Sequence, residues 1–492
     1  MKVVFANSPI PGAKGTPTIL QNRQFQWFSN PCFIYPVVPA QAATMLKNKG
    51  FEVAWLDGIA EKKSFREWLE EVKQEKADLL FLETKTPVVK AHWKIISNLK
   101  KDCPDLKIVL AGDHVTAFPK ESFEKSKVDY ILTGGDYDFL LLNLAEHLTK
   151  GKKLESGIWQ RGKSGKPFSS GKFKQDHDLN KIPFIDRDLT KWKLYAYENG
   201  NYKNTPGTYI MSGRDCWWRK KGGCKFCAWT VLYPKFQTRS VENVLDEIGE
   251  LIEKYKFREI MDDTGTFPAG VWLTDFCKGM IKRGYNKKIN FDCNLRFGIL
   301  KQEDYELMAR AGFRFLLYGL ESANQKTVDK LNKGIKISEI ENELEVLNKA
   351  NKKVGGHLQP HVTCMVGYPW EDKKQAENTI SMTKNLFRKG LIDSLQATVV
   401  IPYPGTSLFK LCKRKNQLKT LDWNKYDMRQ PVMKTAMKDK EVMELTQGIY
   451  KSFMTPEFIL RKIFEIRSID DLKFFSRAAK AIFGHLTDFS KK

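Results

Sequence analysis

Short apolar runs alternate with amphipathic stretches along residues 1–150 of the chain. Each run has the length of a strand, and each amphipathic stretch has apolar residues three or four positions apart, as in a helix with one buried face. Strands that alternate with helices of this length predict βαβ units and a parallel, doubly wound sheet. The predicted strands are 2–7, 51–56, 77–82, 107–110 and 128–132, and the predicted helices are 40–49, 64–73, 88–99 and 138–148.

A second βα series begins at about residue 206. Each of its strands ends in polar or glycine-rich residues. Six strands are too few for a closed eight-strand barrel, so the pattern predicts a partial barrel. The predicted strands are 208–211, 259–261, 288–295, 313–318, 359–366 and 393–401, and the helices between them are 241–255, 272–283, 304–311, 338–350 and 374–388.

The segments outside these two series have different patterns. Residues 151–175 carry seven basic residues and one acidic residue, which predicts a linker or a surface hairpin, and 180–204 is an irregular aromatic connector. After about residue 425 only helical patterns occur, and Ser468 with Asp471 predicts a capping box for a helix over 469–483. The predicted domains are therefore 1–150, a linker and connector over 151–205, the partial barrel over 206–425 and a helical segment over 426–492.

Length and composition agree with this organisation. The chain has 492 residues, and at about 150 residues per domain this predicts about three domains. A hydrophobic content of 42% excludes a mainly disordered chain. No apolar run approaches the ~18 residues of a membrane-spanning helix, and the start of the chain does not resemble a signal peptide. Nine cysteines without a secretory signal predict a reducing, cytoplasmic setting in which clustered cysteines bind metal.

The net charge is strongly positive. Lys plus Arg is 82 and Asp plus Glu is 58, which gives +24. This charge favours an anionic partner such as nucleic acid, a membrane surface or a phosphorylated substrate, unless it is only the solvated surface of a lysine-rich chain. No arrangement of aromatic residues resembles a known nucleic-acid surface. A nucleic-acid-binding protein with a structural metal site therefore stays as the alternative from a different functional class.

Three cysteines within twelve residues are the strongest local signal. Cys216, Cys224 and Cys227 follow the first strand of the second series. A structural zinc site needs four protein ligands, and no further cysteine or histidine occurs in the forty residues after Cys227. In an iron–sulfur cluster with four irons, three thiolates leave one iron open for a ligand. Gly222 and Gly223 would let the backbone approach such a cluster closely.

This cysteine loop, placed after the first strand of a six-strand βα series, resembles that of the radical S-adenosylmethionine (SAM) superfamily. The usual family spacing is C-x3-C-x2-C with an aromatic residue before the last cysteine, and Phe226 holds that place. The first gap has seven residues instead of three, which a loop absorbs at little cost. The resemblance implies a [4Fe-4S] cluster on Cys216, Cys224 and Cys227, with SAM chelating the open iron.

The ends of the later strands resemble family motifs in the family's order. Residues 261–267 resemble the acidic second-strand motif, 318–322 the fourth-strand motif, 365–371 the fifth and 401–408 the sixth. Arg296, at the third strand end, is expected either to pair with a cofactor carboxylate or to form a surface ion pair. The positions that the resemblance assigns to cofactor contacts in this part are Phe226, Asp262, Asp263, Arg296, Gly319, Glu321, Ser322, Gly367 and Pro404.

The first 150 residues resemble the cobalamin-binding domain that precedes this core in one branch of the superfamily. Residues 111–119 match its fourth-strand loop, and 133–136 stand at its glycine–acidic turn. The implied contacts are Gly112, His114, Gly134 and Gly135. The DxHxxG signature is missing, because the sequence after Asp57 has no histidine, so cobalamin is expected without a protein histidine ligand. His114 is then a loop residue near the corrin side chains or a satisfied histidine, and a vestigial domain without cobalamin is the alternative.

The resemblance implies a fold and a reaction. The fold is an N-terminal doubly wound cobalamin-binding-like domain, a partial six-strand βα barrel and a C-terminal helical segment. The reaction is reductive cleavage of SAM followed by methylation of an unactivated carbon, with cyclisation or carbon–carbon bond formation as alternatives. The substrate is left open among small molecules, lipids and peptides. A reductant such as flavodoxin or ferredoxin is expected. The basic loop 217–221 either contacts this reductant or an anionic substrate, or is a solvated hairpin tip. The C-terminal helices either cover the barrel's open side or contact a membrane surface.

Overall fold

The structure, a computed structural model, describes residues 1–12, 14–19, 27–29, 32–162, 164–453, 460, 462–464, 466 and 468–488. It confirms the predicted fold class, since two mainly parallel sheets are flanked by helices. Each sheet has its own buried apolar cores, and the two series of the sequence correspond to the two sheets.

The N-terminal sheet contains seven of the first nine strands. These nine are β1 Lys2–Asn7, β2 Thr16–Pro17, β3 Trp27–Phe28, β4 Glu52–Asp57, β5 Leu79–Glu83, β6 Lys107–Ala111, β7 Tyr130–Leu132, β8 Ile158–Arg161 and β9 Pro167–Ser169. The order in the sheet is β4-β1-β5-β6-β7-β8-β9, and the first five of these strands pair in parallel. Their carboxyl ends therefore lie along one edge, where ligands of such sheets bind.

Helices cover both faces of this sheet. The helix Phe65–Gln74 shows why they form where the sequence predicts them: Ser64 and Glu67 make reciprocal hydrogen bonds at its start, and the helix buries Trp68 and Val72. The helices of this part are Val37–Asn48, Phe65–Gln74, Val89–Asp102, Asp113–Ala117, Pro119–Lys125 and Tyr137–Lys150.

The basic segment 151–175 differs from a free linker. Its strands β8 and β9 form a hairpin that pairs antiparallel with β7 and extends the N-terminal sheet. The hairpin is held there by Arg161, whose guanidinium donates to the carbonyls of Phe123, Ser126 and Val128. The N-terminal sheet therefore continues beyond residue 150. The sequence predicted a linker or a surface hairpin here, but not the pairing of the hairpin with β7. The contacts that hold the hairpin join one arginine to carbonyls that are distant in the sequence.

The second sheet has six parallel strands in sequence order. The strands of this part are β10 Gly207–Ile210, β11 Gly213–Arg214, β12 Gln237–Thr238, β13 Glu259–Asp262, β14 Asn290–Leu295, β15 Phe313–Glu321, β16 Gln359–Val366 and β17 Ser394–Val399. The order is β10-β13-β14-β15-β16-β17, and β11 with β12 forms a separate antiparallel pair. The helices are Trp229–Leu232, Val241–Glu253, Val271–Lys282, Gln302–Arg310, Gln325–Lys330, Ile340–Val354, Lys373–Arg388 and Ser407–Arg414.

The C-terminal part is helical, as predicted. Its helices include Asp439–Phe453 and Ile469–Asp488. Half of the predicted capping box is seen: the Asp471 amide donates to Ser468 Oγ at 3.1 Å, and the Ser468 hydroxyl donates to the Asp471 carboxylate at 2.8 Å. Among the residues that the structure describes, no helix is both long and apolar enough to cross a membrane.

Candidate active site

The cysteine loop is a tight turn at the carboxyl ends of the barrel strands. After Cys216 the chain forms one short 3-10 helix, Trp217–Lys221, and then reverses at Gly222 and Gly223. Both glycines have left-handed backbone angles, with φ of 90° and 72°. Residues with a Cβ rarely adopt this conformation, so the two glycines let Cys224 and Cys227 return to the side of Cys216.

All three cysteines line one large cavity of about 860 Å³. Gly265 and Thr266, from the loop after β13, line the same wall, and Cys216 Sγ lies 2.9 Å from Thr266 Oγ1. A Cβ on Gly265 would come within 2.7 Å of the Asp215 carbonyl oxygen, so only glycine allows this approach. Burial raises the pKa of the Cys216 thiol, while the Thr266 hydroxyl and the Arg296 charge oppose the shift.

The donor set fits an iron–sulfur cluster better than a single ion. No group of three or more His, Cys, Asp or Glu side chains within the described ranges is arranged to hold one metal ion. The thiolates of a four-iron cluster bind three different irons, so their sulfurs lie farther apart than the ligands of one ion. Three thiols on one wall with open space in front of them match this requirement. A cluster bound there would leave its fourth iron facing the cavity.

Arg296 is held beside this wall. Its guanidinium stacks over Trp218 at 4.3 Å and Trp217 at 5.6 Å, and Nη1 lies 3.7 Å from Cys224 Sγ. Nη2 donates to the Lys333 carbonyl, whereas Nε is buried without a hydrogen-bond partner in the described part of the chain. Arg296 thus forms no surface ion pair, and the orphaned Nε is a donor that fits a carboxylate ligand.

The two adjacent aspartates after β13 have different surroundings. Asp262 is fully buried and accepts hydrogen bonds from the Ser212 amide and hydroxyl and the Thr264 amide. It does not line the cavity, so its contacts hold the loops together. Asp263 lines the cavity, and its carboxylate accepts a hydrogen bond from the Asn294 amide at 3.3 Å. Period-two alternation along the strand explains this division, since neighbouring side chains point to opposite faces.

The residues of the fourth-strand motif also differ in whether they line the cavity. Gly319 and Glu321 line the cavity, and Glu321 pairs with Lys333 Nζ at 2.8 Å. Glu321 has a φ of 68°, a left-handed conformation that costs about 1–3 kcal/mol and concentrates at functional sites. Ser322 is turned away, and its hydroxyl donates to Glu371 at 2.6 Å.

The remaining predicted SAM contacts lie at different distances from the cavity. Phe226 lines it, with Lys333 Nζ at 5.9 Å from its ring. Gly367 and Pro404 are not among the lining residues, although their neighbours Met365 and Tyr403 are. Lys333 and Thr266 were not predicted. Thr266 lies within the 261–267 motif but was not assigned a contact, Lys333 belongs to no motif that the sequence analysis used, and only the folded chain places them beside Cys216 and Glu321.

The four predicted cobalamin contacts are enclosed by the chain itself. A Cβ on Gly134 would lie 2.2 Å from the Phe173 ring, and one on Gly135 would lie 1.9 Å from the Tyr233 ring. Gly112 is packed against the Thr84 carbonyl, 2.1 Å from where its Cβ would stand.

His114 is fully buried, with its ring 5.1 Å from that of Trp423, and Nε2 is 3.2 Å from the Glu121 carboxylate. None of the four residues lines the large cavity.

An ion cluster joins the cysteine loop to the N-terminal domain. Arg214, two residues before Cys216, donates to Asp138 at 2.6 Å and to Gln41 Oε1 at 2.8 Å, and its Nε lies 3.8 Å from Asp136. All three charged side chains are buried. His177 lies 3.6 Å from Asp136. No sequence motif marks this cluster, because its members come from four separate segments of the chain.

His177 makes folding pH-dependent. Burial lowers its pKa, but Asp136 and Glu155 outweigh this effect and raise the pKa to about 9. Because the unfolded value is about 6.5, the stabilisation is complete below that pH and is lost as the pH rises through 9.

We expect the free energy of unfolding of wild type to exceed that of His177→Gln at about pH 6, with the difference shrinking as the pH rises from about 6.5 to about 9 and absent above that. Denaturant titrations at several pH values measure this difference, and a pH-independent difference would contradict the assignment.

Part of the chain matches a known protein family. Residues 210–383, which include the cysteine loop and four of the barrel strands, match the family model of the radical SAM superfamily. This region of the chain is therefore similar to the domain of radical SAM enzymes, which use a [4Fe-4S] cluster and SAM as cofactors.

Two curated relatives match most of the length of the chain. An uncharacterized methyltransferase of Pyrococcus horikoshii is 25% identical over 87% of the chain and 90% of its own length. An anaerobic magnesium-protoporphyrin IX monomethyl ester cyclase of Cereibacter sphaeroides is 23% identical over 85% of the chain and 66% of its own length.

Solved structures share the fold over nearly the whole chain. The cobalamin-dependent SAM radical enzyme OxsB matches with a TM-score of 0.68 and 14% identity, over 98% of this chain and 72% of that one. The radical SAM methyltransferase TsrM from Kitasatospora setae, with cobalamin and a [4Fe-4S] cluster bound, matches with a TM-score of 0.65 and 13% identity, over 93% and 89%.

Proposed function

We propose that this radical SAM enzyme methylates an unactivated carbon of its substrate, with cobalamin as the methyl carrier. The observation that carries the radical half of the proposal is the cavity wall on which Cys216, Cys224 and Cys227 stand together with Asp263 and Glu321. The methyl-transfer half is supported by the methyltransferase name of a relative and by the architecture shared with methyltransferase structures.

The chain's own residues bind and orient in this proposal. When bound, the cluster supplies the electron that cleaves SAM, and cobalamin supplies the methyl group. The three thiolates hold the cluster, and the carboxylates of Asp263 and Glu321 accept hydrogen bonds from the amino group of SAM. Arg296 offers its unpartnered Nε to the carboxylate of SAM. The apolar walls exclude water from the reacting atoms.

In the described part of the chain, the residues at the N-terminal strand ends pack closely against their neighbours. Gly134 and Gly135 pack on the rings of Phe173 and Tyr233, and a cavity at these strand ends, beside Asn7, Asp57 and Glu83, measures about 10 Å³. A corrin ring at this edge needs the two domains to separate there. As they are packed here, the residues predicted to contact cobalamin do not fit a corrin ring, so the corrinoid content of the purified protein tests the methyl-carrier part of the proposal.

Cyclisation is the second candidate reaction. Two relatives that match 85% and 87% of the chain carry the name of a cyclase. Cyclisation would use the same cysteine wall and the same cavity, and it differs in whether a methyl group ends up in the product.

The test combines cofactor content with the fate of the methyl group. We expect protein made with a cobalamin supply and purified without oxygen to hold about one corrinoid per chain. We also expect deuterium from methyl-labelled SAM to enter a product when small molecules of the producing cell are added. A filled cluster with no corrinoid and an unlabelled product would contradict methyl transfer and favour cyclisation.

A further inference from the structure

Two arginines line the cavity at the end away from the cysteines. Arg314 stands at the amino end of β15, whereas Glu321 stands at its carboxyl end, and both line the cavity. Seven residues of a strand span roughly 20 Å, so the cavity extends about that far along the barrel axis. Arg477, on the helix Ile469–Asp488, lines the cavity too.

Arg314 is almost completely buried, with 3% of its surface exposed. Nη2 donates to Glu259 at 2.5 Å, to Asp292 at 3.1 Å and to the Asn201 carbonyl at 2.6 Å, and Nη1 donates to Gln359 at 2.8 Å. Its Nε has no hydrogen-bond partner in the part of the chain that the structure describes.

Arg477 reaches the same loop from the other side of the cavity. Its Nη2 donates to the carbonyls of Tyr202 at 2.9 Å and Lys203 at 3.3 Å, next to the Asn201 carbonyl that Arg314 contacts. Its Nε is also buried and without a hydrogen-bond partner among the described residues. The two guanidiniums donate to neighbouring carbonyls, and each has an Nε–H without a hydrogen-bond partner among the described residues.

Acidic groups surround the two guanidiniums at this end of the cavity. Glu259 and Asp292 pair with Arg314 through Nη2, and the charges of Glu259 and Asp470 act on Arg477. None of these pairs uses the Nε of either arginine among the described residues, so both Nε–H groups are left as donors. The space between this end and the cysteine wall is apolar, with Phe315, Leu317 and Met365 in its lining.

We propose that Arg314 and Arg477 bind the anionic group, a carboxylate or a phosphate, of an elongated apolar substrate. The apolar body then lies along Phe315 and Leu317, and the other end of the molecule reaches the cysteine wall. The role of that other end as the reacting carbon rests on the proposed function, whereas anion binding at the arginines does not.

The test measures binding of a fluorescent fatty acid, 11-(dansylamino)undecanoic acid, to the full chain without iron or SAM. We expect the acid to bind about 10–100-fold more tightly than its methyl ester, the range of one or two charged hydrogen bonds. Dodecanoate and dodecyl phosphate compete with the probe, and the stronger competitor identifies the anionic group. Equal affinity for acid and ester in the wild type would overturn the proposal.

Variants of Arg477 test whether this residue causes the preference for the acid over its methyl ester. Arg477→Met and Arg477→Gln should each lose most of the preference for the acid while ester binding stays the same, and Arg477→Lys should keep part of it. The glutamine variant retains a donor for the loop carbonyls. The matched control is Lys462→Met, because Lys462 lines the same cavity but is salt-bridged to Asp393 at 2.8 Å.

A full preference for the acid in both Arg477→Met and Arg477→Gln would overturn the assignment. Cluster loading, measured separately, should be unchanged in these variants. Loss of anion binding with an intact cluster, or the reverse, then separates this inference from the proposed function.

Discussion

The Cys224→Ala variant will carry almost no iron or sulfide after anaerobic reconstitution, whereas the wild-type chain will carry about four irons. Cys224 lines the cavity between Cys227 and Arg296, and its loss leaves two thiolates for a cluster that needs at least three. Cys216→Ala and Cys227→Ala are expected to give the same result. Iron and sulfide assays and the cluster's visible absorbance measure the loading.

Cys32→Ala is the matched control for this loss. Cys32 lines the same cavity, but burial raises the pKa of its thiol to about 11, so it stays protonated and is a poor metal ligand. We expect this variant to load its cluster fully. A cluster that survives Cys216→Ala but not Cys32→Ala would show that Cys32 is the third ligand and would contradict the assignment of Cys216 across the seven-residue gap.

The Arg214→Met variant is expected to lose about 3–5 kcal/mol of unfolding free energy. Arg214 is the buried cation between Asp136 and Asp138, and burial already raises the pKa of Asp138 to about 6 in its presence. Without Arg214, the buried Asp138 loses its cation, Asp136 keeps His177 at 3.6 Å, and the cysteine loop loses its hydrogen bonds to Asp138 and Gln41. Cluster loading should fall together with stability.

The control for this variant is an ion pair at the surface. Arg283 bridges Glu242 and Asp246, which are both largely exposed, so Arg283→Met should cost no more than about 1 kcal/mol. Adding Asp138→Asn to Arg214→Met should recover part of the stability, because the buried carboxylate that lost its cation is removed. Denaturant titration followed by tryptophan fluorescence compares the variants, and equal losses for Arg214→Met and Arg283→Met would contradict the buried-cluster account.

The sequence predicted the fold class and the wall of the cavity because both depend on local patterns. Apolar runs mark the parallel strands, and polar residues at their carboxyl ends meet at one edge, so Cys216, Asp263 and Glu321 were found together. Because successive side chains of a strand point to opposite faces, Asp262 and Asp263 must face different sides. The sequence alone did not show which of the two faces the cavity.

Other features depend on partners far away in the chain. The resemblance in the sequence implies that Gly134 and Gly135 contact cobalamin. In the folded chain the two glycines pack against the rings of Phe173 and Tyr233. Arg214, Lys333 and Arg477 acquire their positions from contacts with Asp138, Glu321 and the carbonyls of residues 202 and 203. No spacing or periodicity around these residues encodes such pairings.

The most direct test of the central claim is whether the reconstituted chain cleaves SAM reductively. With a strong reductant and SAM, the wild-type chain and Cys32→Ala should form 5′-deoxyadenosine and methionine, and Cys224→Ala should form neither. Chromatography of the quenched reaction measures both products. A wild-type chain with a filled cluster that forms no 5′-deoxyadenosine would contradict the claim that this cavity houses radical SAM chemistry.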